Sequence, residues 1–206
     1  MVTDIFGHGA KLDELKIIAD QYGLKLIEDV AQAPGIKFKN KYCGCWGDIG
    51  GFSLNYHKHI HTGEGGFCIT DNEDLALKMK MIRNHAEASI VGSPLTTLTN
   101  MVGYNFRMGE MEAAIGREQL KKLPELLSVN QNKSEIINTI LRQEPDFKVA
   151  AIEDESGHAF YVLPIVLSGT SEQRSSWLDK LKKAGVPGLM EGYVNVHRLP
   201  PPFPPF

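Results

Sequence analysis

The sequence has few cysteines, no long hydrophobic run and no marked excess of either charge. Its 206 residues include three cysteines, Cys43, Cys45 and Cys68, which cannot all pair within one chain. We therefore expect no disulfide framework and a reducing, cytoplasmic environment. No run of about eighteen apolar residues is present, so neither a membrane-spanning helix nor a membrane partner is expected. The formal net charge of −3 gives no electrostatic reason to expect a nucleic acid as a partner.

The composition is that of a globular protein, and the apolar pattern alternates between helix and strand. Hydrophobic residues make up 42% of the chain and charged residues 23%. Helices are predicted over residues 11–22, 71–84, 109–123 and 171–184, and strands over residues 24–27, 50–54, 66–70 and 160–167. Asp71 is the predicted N-cap of the second helix. Strands separated by helices predict an α/β fold with a mostly parallel sheet flanked by helices.

A domain boundary is predicted near residue 125. Pro124 interrupts the helical spacing, which then resumes as far as Leu141, and the pattern changes again after Pro145. Residues 1–125 are predicted to form one domain, and residues 126–206 to belong to a smaller α+β domain.

Lys58 lies between an apolar strand and a glycine-rich stretch at residues 63–66. An amine that is desolvated or close to other cations loses its proton more easily. A neutral lysine can form a Schiff base with a carbonyl compound such as pyridoxal phosphate. The alternative is a solvated surface lysine.

Four further side chains near the predicted strands could bind a ligand. Asp29 follows one strand, and ligands of open α/β sheets gather at the carboxyl ends of the strands. A carboxylate there could keep a pyridinium nitrogen protonated, or it could simply cap a turn. Gln32 could bind the same cofactor or its own loop. The hydroxyls of Ser53 and Thr62, with the glycines that follow, could bind a phosphate, although no P-loop spacing is present.

A metal site is the competing interpretation of the lysine loop. His57, His59 and His61 alternate, so on an extended strand their imidazoles would face one side, and three histidines can hold zinc. Ligands that close together in one strand rarely converge on one ion, because side chains two apart stand well separated, and Cys43-Gly-Cys45 lacks a second cysteine pair. We therefore predict no metal site.

Four segments, taken together and in order, resemble the DegT/DnrJ/EryC1/StrS sugar aminotransferases. They are residues 2–7 (VTDIFG), 26–33 (LIEDVAQA), 47–66 (from GDIGGFS through Lys58 to GEGG), and 103–108 (GYNFRM) with 112–116 (EAAIG). A weaker similarity covers residues 192–197 (GYVNVH). The resemblance spans nearly the whole chain. It implies the type I fold of pyridoxal phosphate enzymes, with residues 1–125 as the latter part of the cofactor-binding large domain.

The resemblance also implies roles for individual residues. Lys58 would bind pyridoxal phosphate covalently and then transfer the proton at the substrate carbon. Asp29 would pair with the pyridine nitrogen, Gln32 would lie beside the ring, and Ser53 would bind the phosphate. Asn105 would reach the phosphate region of a neighbouring subunit, which implies a homodimer with shared active sites.

The implied activity is amino transfer to a nucleotide-linked keto sugar, with glutamate or glutamine as the donor, in the biosynthesis of amino sugars and polysaccharides. A subgroup of the family carries histidine in place of the lysine and performs a C3 dehydration instead. The register from Ser53 to Gly66 places Lys58 at that position, so amino transfer is favoured and the sugar 3-dehydratase remains an alternative.

Family members begin well before this chain and continue past its end. The preceding part carries a phosphate-binding turn and an aromatic residue that stacks on the cofactor. We therefore expect the chain to be a fragment, and an inactive fragment is the third interpretation.

Overall fold

The computed structural model describes residues 1–87, 101–152 and 157–190. Within these ranges the strands are β1 (Val2–Thr3), β2 (Ile27–Asp29), β3 (Lys37–Phe38), β4 (Lys41–Tyr42), β5 (Ile49–Ser53), β6 (Gly66–Ile69), β7 (Phe147–Val149) and β8 (Ile165–Leu167). The helices are α1 (Leu12–Gln21), α2 (Glu73–Arg83), α3 (Glu110–Leu141) and α4 (Ser171–Lys183). No helix in these ranges is long and apolar enough to cross a membrane.

The central sheet has the strand order β1-β2-β5-β6. Strands β1, β2 and β5 are parallel, and β6 pairs antiparallel with β5. The connection from β5 to β6, residues 54–65, is the loop that contains Lys58. The predicted α/β fold with a mostly parallel sheet is therefore confirmed.

One apolar core joins the sheet to two of the helices. Leu12 of α1 and Val30, which follows β2, are fully buried. From α3, Leu123 and Leu127 enter the same cluster and cover the turn at Gly35, where a Cβ would lie 3.1 Å from either leucine. Burial of these side chains fixes α1 and α3 against the sheet.

The helix predicted over residues 11–22 is confirmed as α1, but the strand predicted over residues 24–27 begins later. Gly23 adopts a φ of +63°, and the Leu24 N–H donates to the carbonyl of Ala19 at 2.8 Å. Both residues therefore end α1 instead of starting a strand. The N-cap of α2 is Asn72 and not Asp71, because Asn72 Oδ1 accepts the Leu75 N–H at 3.0 Å.

Helix α3 continues through Pro124 as a single element. Proline removes one backbone donor from a helix, but the buried side chains of Leu123 and Leu127 hold the chain on both sides of it. The helix passes through residue 125, and the division into residues 1–125 and 126–206 stays a prediction.

The strand predicted over residues 160–167 is wrong for its first half. Only Ile165–Leu167 forms a strand, β8, which pairs antiparallel with β7. Phe160 adopts a φ of +48°, which a β-strand does not allow. Helix α4 confirms the prediction over residues 171–184 and begins with a capping box between Thr170 and Gln173. The motif at residues 192–197 lies outside the described residues.

Candidate cofactor site at the carboxyl edge of the sheet

Asp29 and Ser53 end two adjacent parallel strands. Asp29 pairs with Gly51 in the register of β2 and β5, and Ser53 is the last residue of β5. Both side chains are half-buried. Asp29 Oδ1 accepts the Ala31 N–H at 3.1 Å, and Ser53 Oγ accepts the Asn55 N–H at 3.3 Å. The sheet therefore presents a carboxylate and a hydroxyl at the edge where α/β folds bind ligands.

Glu28 precedes Asp29 but lies on the opposite face of β2, because successive strand residues alternate. Glu28 is fully buried, its Oε2 accepts the Gly44 N–H at 2.7 Å, and its Oε1 accepts the Gly47 N–H. Of the two neighbouring carboxylates, Glu28 thus holds the loop before β5, and Asp29 is the one at the candidate site. Strand periodicity places the two side chains on opposite faces, but no sequence pattern indicates which loop amides Glu28 binds.

Gln32 connects the candidate site to the loop after β1. Its side-chain Oε1 accepts the Phe6 N–H at 2.6 Å. In the described part of the chain its Nε2 makes no hydrogen bond and remains available as a donor. Gln32 can therefore hold its own loop through Oε1 and still donate to a cofactor through Nε2.

Lys58 lies in a bent loop between β5 and β6. The loop is closed at its base by hydrogen bonds from the Leu54 N–H to the Gly65 carbonyl at 2.8 Å and from the Thr62 N–H to the Leu54 carbonyl at 3.0 Å. The Lys58 N–H donates to the Asn55 carbonyl at 2.9 Å, which forms a tight turn just before the lysine. The loop therefore holds the Lys58 backbone just beyond the end of β5.

The amine of Lys58 faces an aromatic ring. Lys58 is half-buried, and its Nζ lies 4.7 Å from the centroid of the Tyr161 ring. Within residues 1–87, 101–152 and 157–190 the amine forms no ion pair. Tyr161 was not predicted from the sequence, and no local pattern indicates it, because only packing brings Lys58 and Tyr161 together.

The three histidines lie in a bent loop and not on an extended strand, so the premise of the zinc interpretation is wrong. His57 and His61 are exposed, whereas His59 is half-buried and its Nε2 lies 3.1 Å from the Ala159 carbonyl. Burial lowers the pKa of His59, and the charge of Lys58 adds to this effect. The neutral ring therefore donates to Ala159. Among the described residues no group of three or more metal-ligating side chains could hold a metal ion.

Two other candidate residues are placed differently from the strand-end pair. Thr62 is buried and its hydroxyl donates to the Glu64 carbonyl at 2.8 Å, so its proton is already used. Asn105 is exposed and forms an isolated β-bridge with Asn84 at the end of α2. Arg107 donates to the side chain of Asn84 at 2.7 Å and holds the same pairing. Asn105 is thus carried by a segment separate from the strand ends.

Comparisons with known proteins agree with this architecture. The sequence model of the DegT/DnrJ/EryC1/StrS aminotransferase family matches residues 1–203. The UDP-4-amino-4,6-dideoxy-N-acetyl-beta-L-altrosamine transaminase of Campylobacter jejuni is 30% identical over 97% of this chain and 51% of its own length. The L-glutamine:2-deoxy-scyllo-inosose aminotransferase of Streptoalloteichus tenebrarius is 32% identical over 79% of this chain and 40% of its own length.

A solved structure of the E. coli GDP-4-keto-6-deoxy-D-mannose-3-dehydratase with bound hydrated PLP superposes with a TM-score of 0.77. It is 29% identical and covers 89% of this chain and 50% of the dehydratase chain. This chain spans about half the length of the curated relatives that it matches. By its match over nearly all of its residues, the chain belongs to the DegT/DnrJ/EryC1/StrS aminotransferase family.

Proposed function

We propose that this protein functions as a pyridoxal phosphate-dependent aminotransferase that acts on a nucleotide-linked keto sugar. The observation that carries the proposal is the placement of Asp29 and Ser53 at the ends of adjacent parallel strands, with Lys58 in the loop that follows. The names of two relatives, a UDP-sugar transaminase and an L-glutamine-dependent aminotransferase, support a nucleotide-sugar substrate and glutamate or glutamine as the amino donor.

The side chains at this edge fit pyridoxal phosphate by their chemistry. The cofactor presents an aldehyde, a protonated ring nitrogen, a hydroxyl on the ring and a phosphate. Lys58 offers a primary amine and Ser53 a hydroxyl donor. Asp29 offers a carboxylate and Gln32 an amide donor, and among the described residues Asp29 Oδ2 and Gln32 Nε2 make no hydrogen bond. Each group of the cofactor therefore has a residue of complementary chemistry.

When bound, pyridoxal phosphate supplies the electron sink that makes a substrate C–H bond acidic. Asp29 would accept a hydrogen bond from the ring nitrogen and keep that nitrogen charged. Gln32 Nε2 would donate to the hydroxyl oxygen on the ring, while Gln32 Oε1 stays on the Phe6 N–H. Ser53 Oγ would donate to the phosphate. Lys58 would hold the cofactor through its amine, and its free amine would move the proton at the substrate carbon.

Asn105 is proposed to serve a second copy of the chain. Its side chain is exposed, and Tyr104 and Phe106 on either side of it stack on each other at 4.8 Å while also exposed. An amide flanked by exposed aromatic rings is suited to a subunit interface, where Asn105 would reach the partner's phosphate region. A homodimer with shared sites follows from this assignment.

A sugar 3-dehydratase is the second candidate, and the dehydratase among the similar solved structures favours it. The two activities differ in their products, an amino sugar or a deoxygenated keto sugar. Supplying the purified chain with glutamate and a nucleotide-linked 4-keto sugar, and identifying the product by mass spectrometry, separates them.

The cofactor assignment is tested by borohydride reduction of the chain mixed with pyridoxal phosphate, followed by peptide mapping. We expect a visible absorption band before reduction and a modified Lys58 after it, and Lys58→Ala should abolish both. Lys180→Ala is the control, because Lys180 also lies over an aromatic ring but far along the chain in α4. Modification at another lysine would refute the assignment, and the absence of any band would support the inactive-fragment interpretation.

A further inference from the structure

The segment of residues 157–162, called here the crossing segment, lies alongside the loop after β1. The Ala159 N–H donates to the Gly7 carbonyl at 2.6 Å, and the Gly9 N–H donates to the Gly157 carbonyl at 3.3 Å. His8 and His158 form an antiparallel bridge between the two segments. The crossing segment thus joins residues from late in the chain to the loop that Gln32 also holds.

The crossing segment is fixed from several directions. His158 is fully buried, its carbonyl accepts the Gln131 side-chain amide at 3.1 Å, and its Nδ1 accepts the Phe160 N–H at 2.9 Å. The Ala159 side chain is fully buried, and the Ala159 carbonyl accepts the His59 ring N–H. Phe160 keeps a φ of +48°, and such a strained conformation persists only where the surroundings impose it. Tyr161 therefore follows a rigid kink.

The ring of Tyr161 contacts two successive residues of the lysine loop. Its centroid lies 4.7 Å from Lys58 Nζ and 5.6 Å from the centroid of the His59 ring. A cation within about 6 Å of a ring centroid is attracted by the π-electrons. The ammonium of Lys58 has no carboxylate partner among the described residues, so the ring is the group that stabilises its position.

We propose that Tyr161 is a positioning residue that holds the free ε-ammonium of Lys58. This role rests on the proposed function, in which the lysine is alternately bonded to the cofactor and released. A released lysine has four rotatable bonds and would otherwise move freely in water. A carboxylate would hold the ammonium strongly and directionally, whereas a ring holds it weakly and lets it leave. The ring therefore keeps the amine near the site and leaves it able to react.

The proposal is tested without the cofactor, by reductive methylation of the full chain with formaldehyde and cyanoborohydride. Rates are measured lysine by lysine by mass spectrometry. In Tyr161→Leu we expect Lys58 to react about two- to five-fold faster, because the ammonium loses the stabilisation of the ring. Tyr161→Phe keeps a ring and should restore the wild-type rate.

Two controls make the change specific to the contact. Lys180, whose Nζ lies 4.8 Å from the Trp177 ring, is the internal reference and should react equally in every variant. Tyr56→Leu removes an exposed ring of the same loop that contacts the His57 ring, and it should leave the Lys58 rate unchanged. Equal Lys58 rates in the wild type, Tyr161→Leu and Tyr161→Phe would overturn the proposal.

The wild-type chain gives a second reading that does not depend on how a variant folds. With 13C-formaldehyde, the methylated Lys58 signal, assigned by its loss in Lys58→Arg, should be shifted upfield by the ring current of Tyr161. A signal at the position of exposed lysines would also overturn the proposal. Because pyridoxal phosphate is absent, these outcomes are independent of borohydride trapping, which tests the proposed function.

Discussion

The side chain of Gln32 holds the backbone of Phe6, since Gln32 Oε1 accepts the Phe6 N–H at 2.6 Å. Phe6 adopts a φ of +61°, and the crossing segment packs against the residue that follows it. A residue proposed to bind the cofactor therefore also supports the loop on which the crossing segment rests. Substitutions of Gln32 can therefore distinguish an effect on stability from an effect on cofactor binding, and so can substitutions of Glu28 and Asp29 in β2.

Gln32→Leu is expected to lower the free energy of unfolding by about 1–3 kcal/mol, because the Phe6 N–H loses its acceptor. Gln32→Glu keeps an oxygen for Phe6 and should be more stable than the leucine variant. It loses the amide donor, so its affinity for pyridoxal phosphate should fall. Denaturant unfolding and cofactor titration measure the two effects, and a leucine variant as stable as the wild type would contradict the role of the hydrogen bond.

Gly7→Ala is expected to destabilise the fold by more than the strain of its backbone alone. Gly7 has a φ of +95°, and a Cβ there would lie 2.9 Å from the Gln32 carbonyl and 3.0 Å from the Ala159 side chain. Gly23→Ala is the matched control, since Gly23 also has a positive φ but nothing within 4 Å. We expect about 1 kcal/mol for Gly23→Ala and clearly more for Gly7→Ala in thermal or denaturant unfolding. Equal losses would show that crowding at Gly7 is relieved.

Glu28→Gln and Asp29→Asn should affect different properties, folding stability and cofactor binding respectively, although the residues are neighbours. Glu28 is buried and accepts two backbone N–H groups, so its amide variant loses a charged acceptor and places a donor against a donor. A loss of about 2–3 kcal/mol of folding free energy is expected for Glu28→Gln. Asp29→Asn keeps the acceptor for Ala31 and should fold normally but bind pyridoxal phosphate weakly. A stable Glu28→Gln chain would contradict the assigned structural role.

Asp4 and His158 should give opposing contributions to the pH dependence of stability. Burial raises the pKa of Asp4 to about 6, the nearby carboxylate of Glu28 adds to this, and the Ala10 N–H opposes it. Burial lowers the pKa of His158 to about 4, and the charge of His8 adds to that shift. The stability contributed by protonated Asp4 is lost as the pH rises from about 4 to about 6. The stability contributed by neutral His158 is lost as the pH falls from its ordinary 6.5 to about 4.

Single variants should reveal how each group contributes to the pH dependence of the free energy of unfolding. Asp4→Asn keeps an acceptor for the Ala10 N–H. Between pH 4 and pH 6 its free energy of unfolding should rise by about 3 kcal/mol relative to that of the wild type. In His158→Gln the free energy of unfolding should no longer fall by about 3 kcal/mol as the pH is lowered from 6.5 to about 4. Denaturant unfolding at several pH values measures both, with exposed His61→Gln as the control. A free energy of unfolding that depends on pH in each variant as it does in the wild type would contradict the assignment to Asp4 and His158.

Short-range patterns predicted much of the fold. Helix α1 was predicted from the spacing of Leu12, Leu15 and Ile18, and helix α4 from its helical pattern over residues 171–184, because helix formation depends on neighbours three or four positions away. The strand before Asp29 and the strand that contains Ser53 were likewise predicted from the sequence pattern. The start of β2 was misplaced because Leu24 completes the end of α1, a backbone contact that apolar spacing does not encode.

The candidate site was predicted only in part, and its cofactor roles remain predictions. Asp29 could be anticipated because a parallel sheet gathers the carboxyl ends of its strands at one edge. The zinc interpretation failed because it assumed an extended strand, whereas the loop bends and buries His59 apart from His57 and His61. Tyr161 was missed because its partner is far away in sequence and its own segment was predicted to be a strand.

The sequence by itself determined the fold class, the main helices, the lysine between β5 and β6, and the resemblance to the family. These depend on local periodicity and on residues close together in the chain. Only the tertiary structure decided that Asp29 pairs with Gly51, that Gln32 holds Phe6, and that Tyr161 faces Lys58. The physical reason is that such contacts join distant segments through packing and burial. Local propensities do not specify which distant segments come into contact.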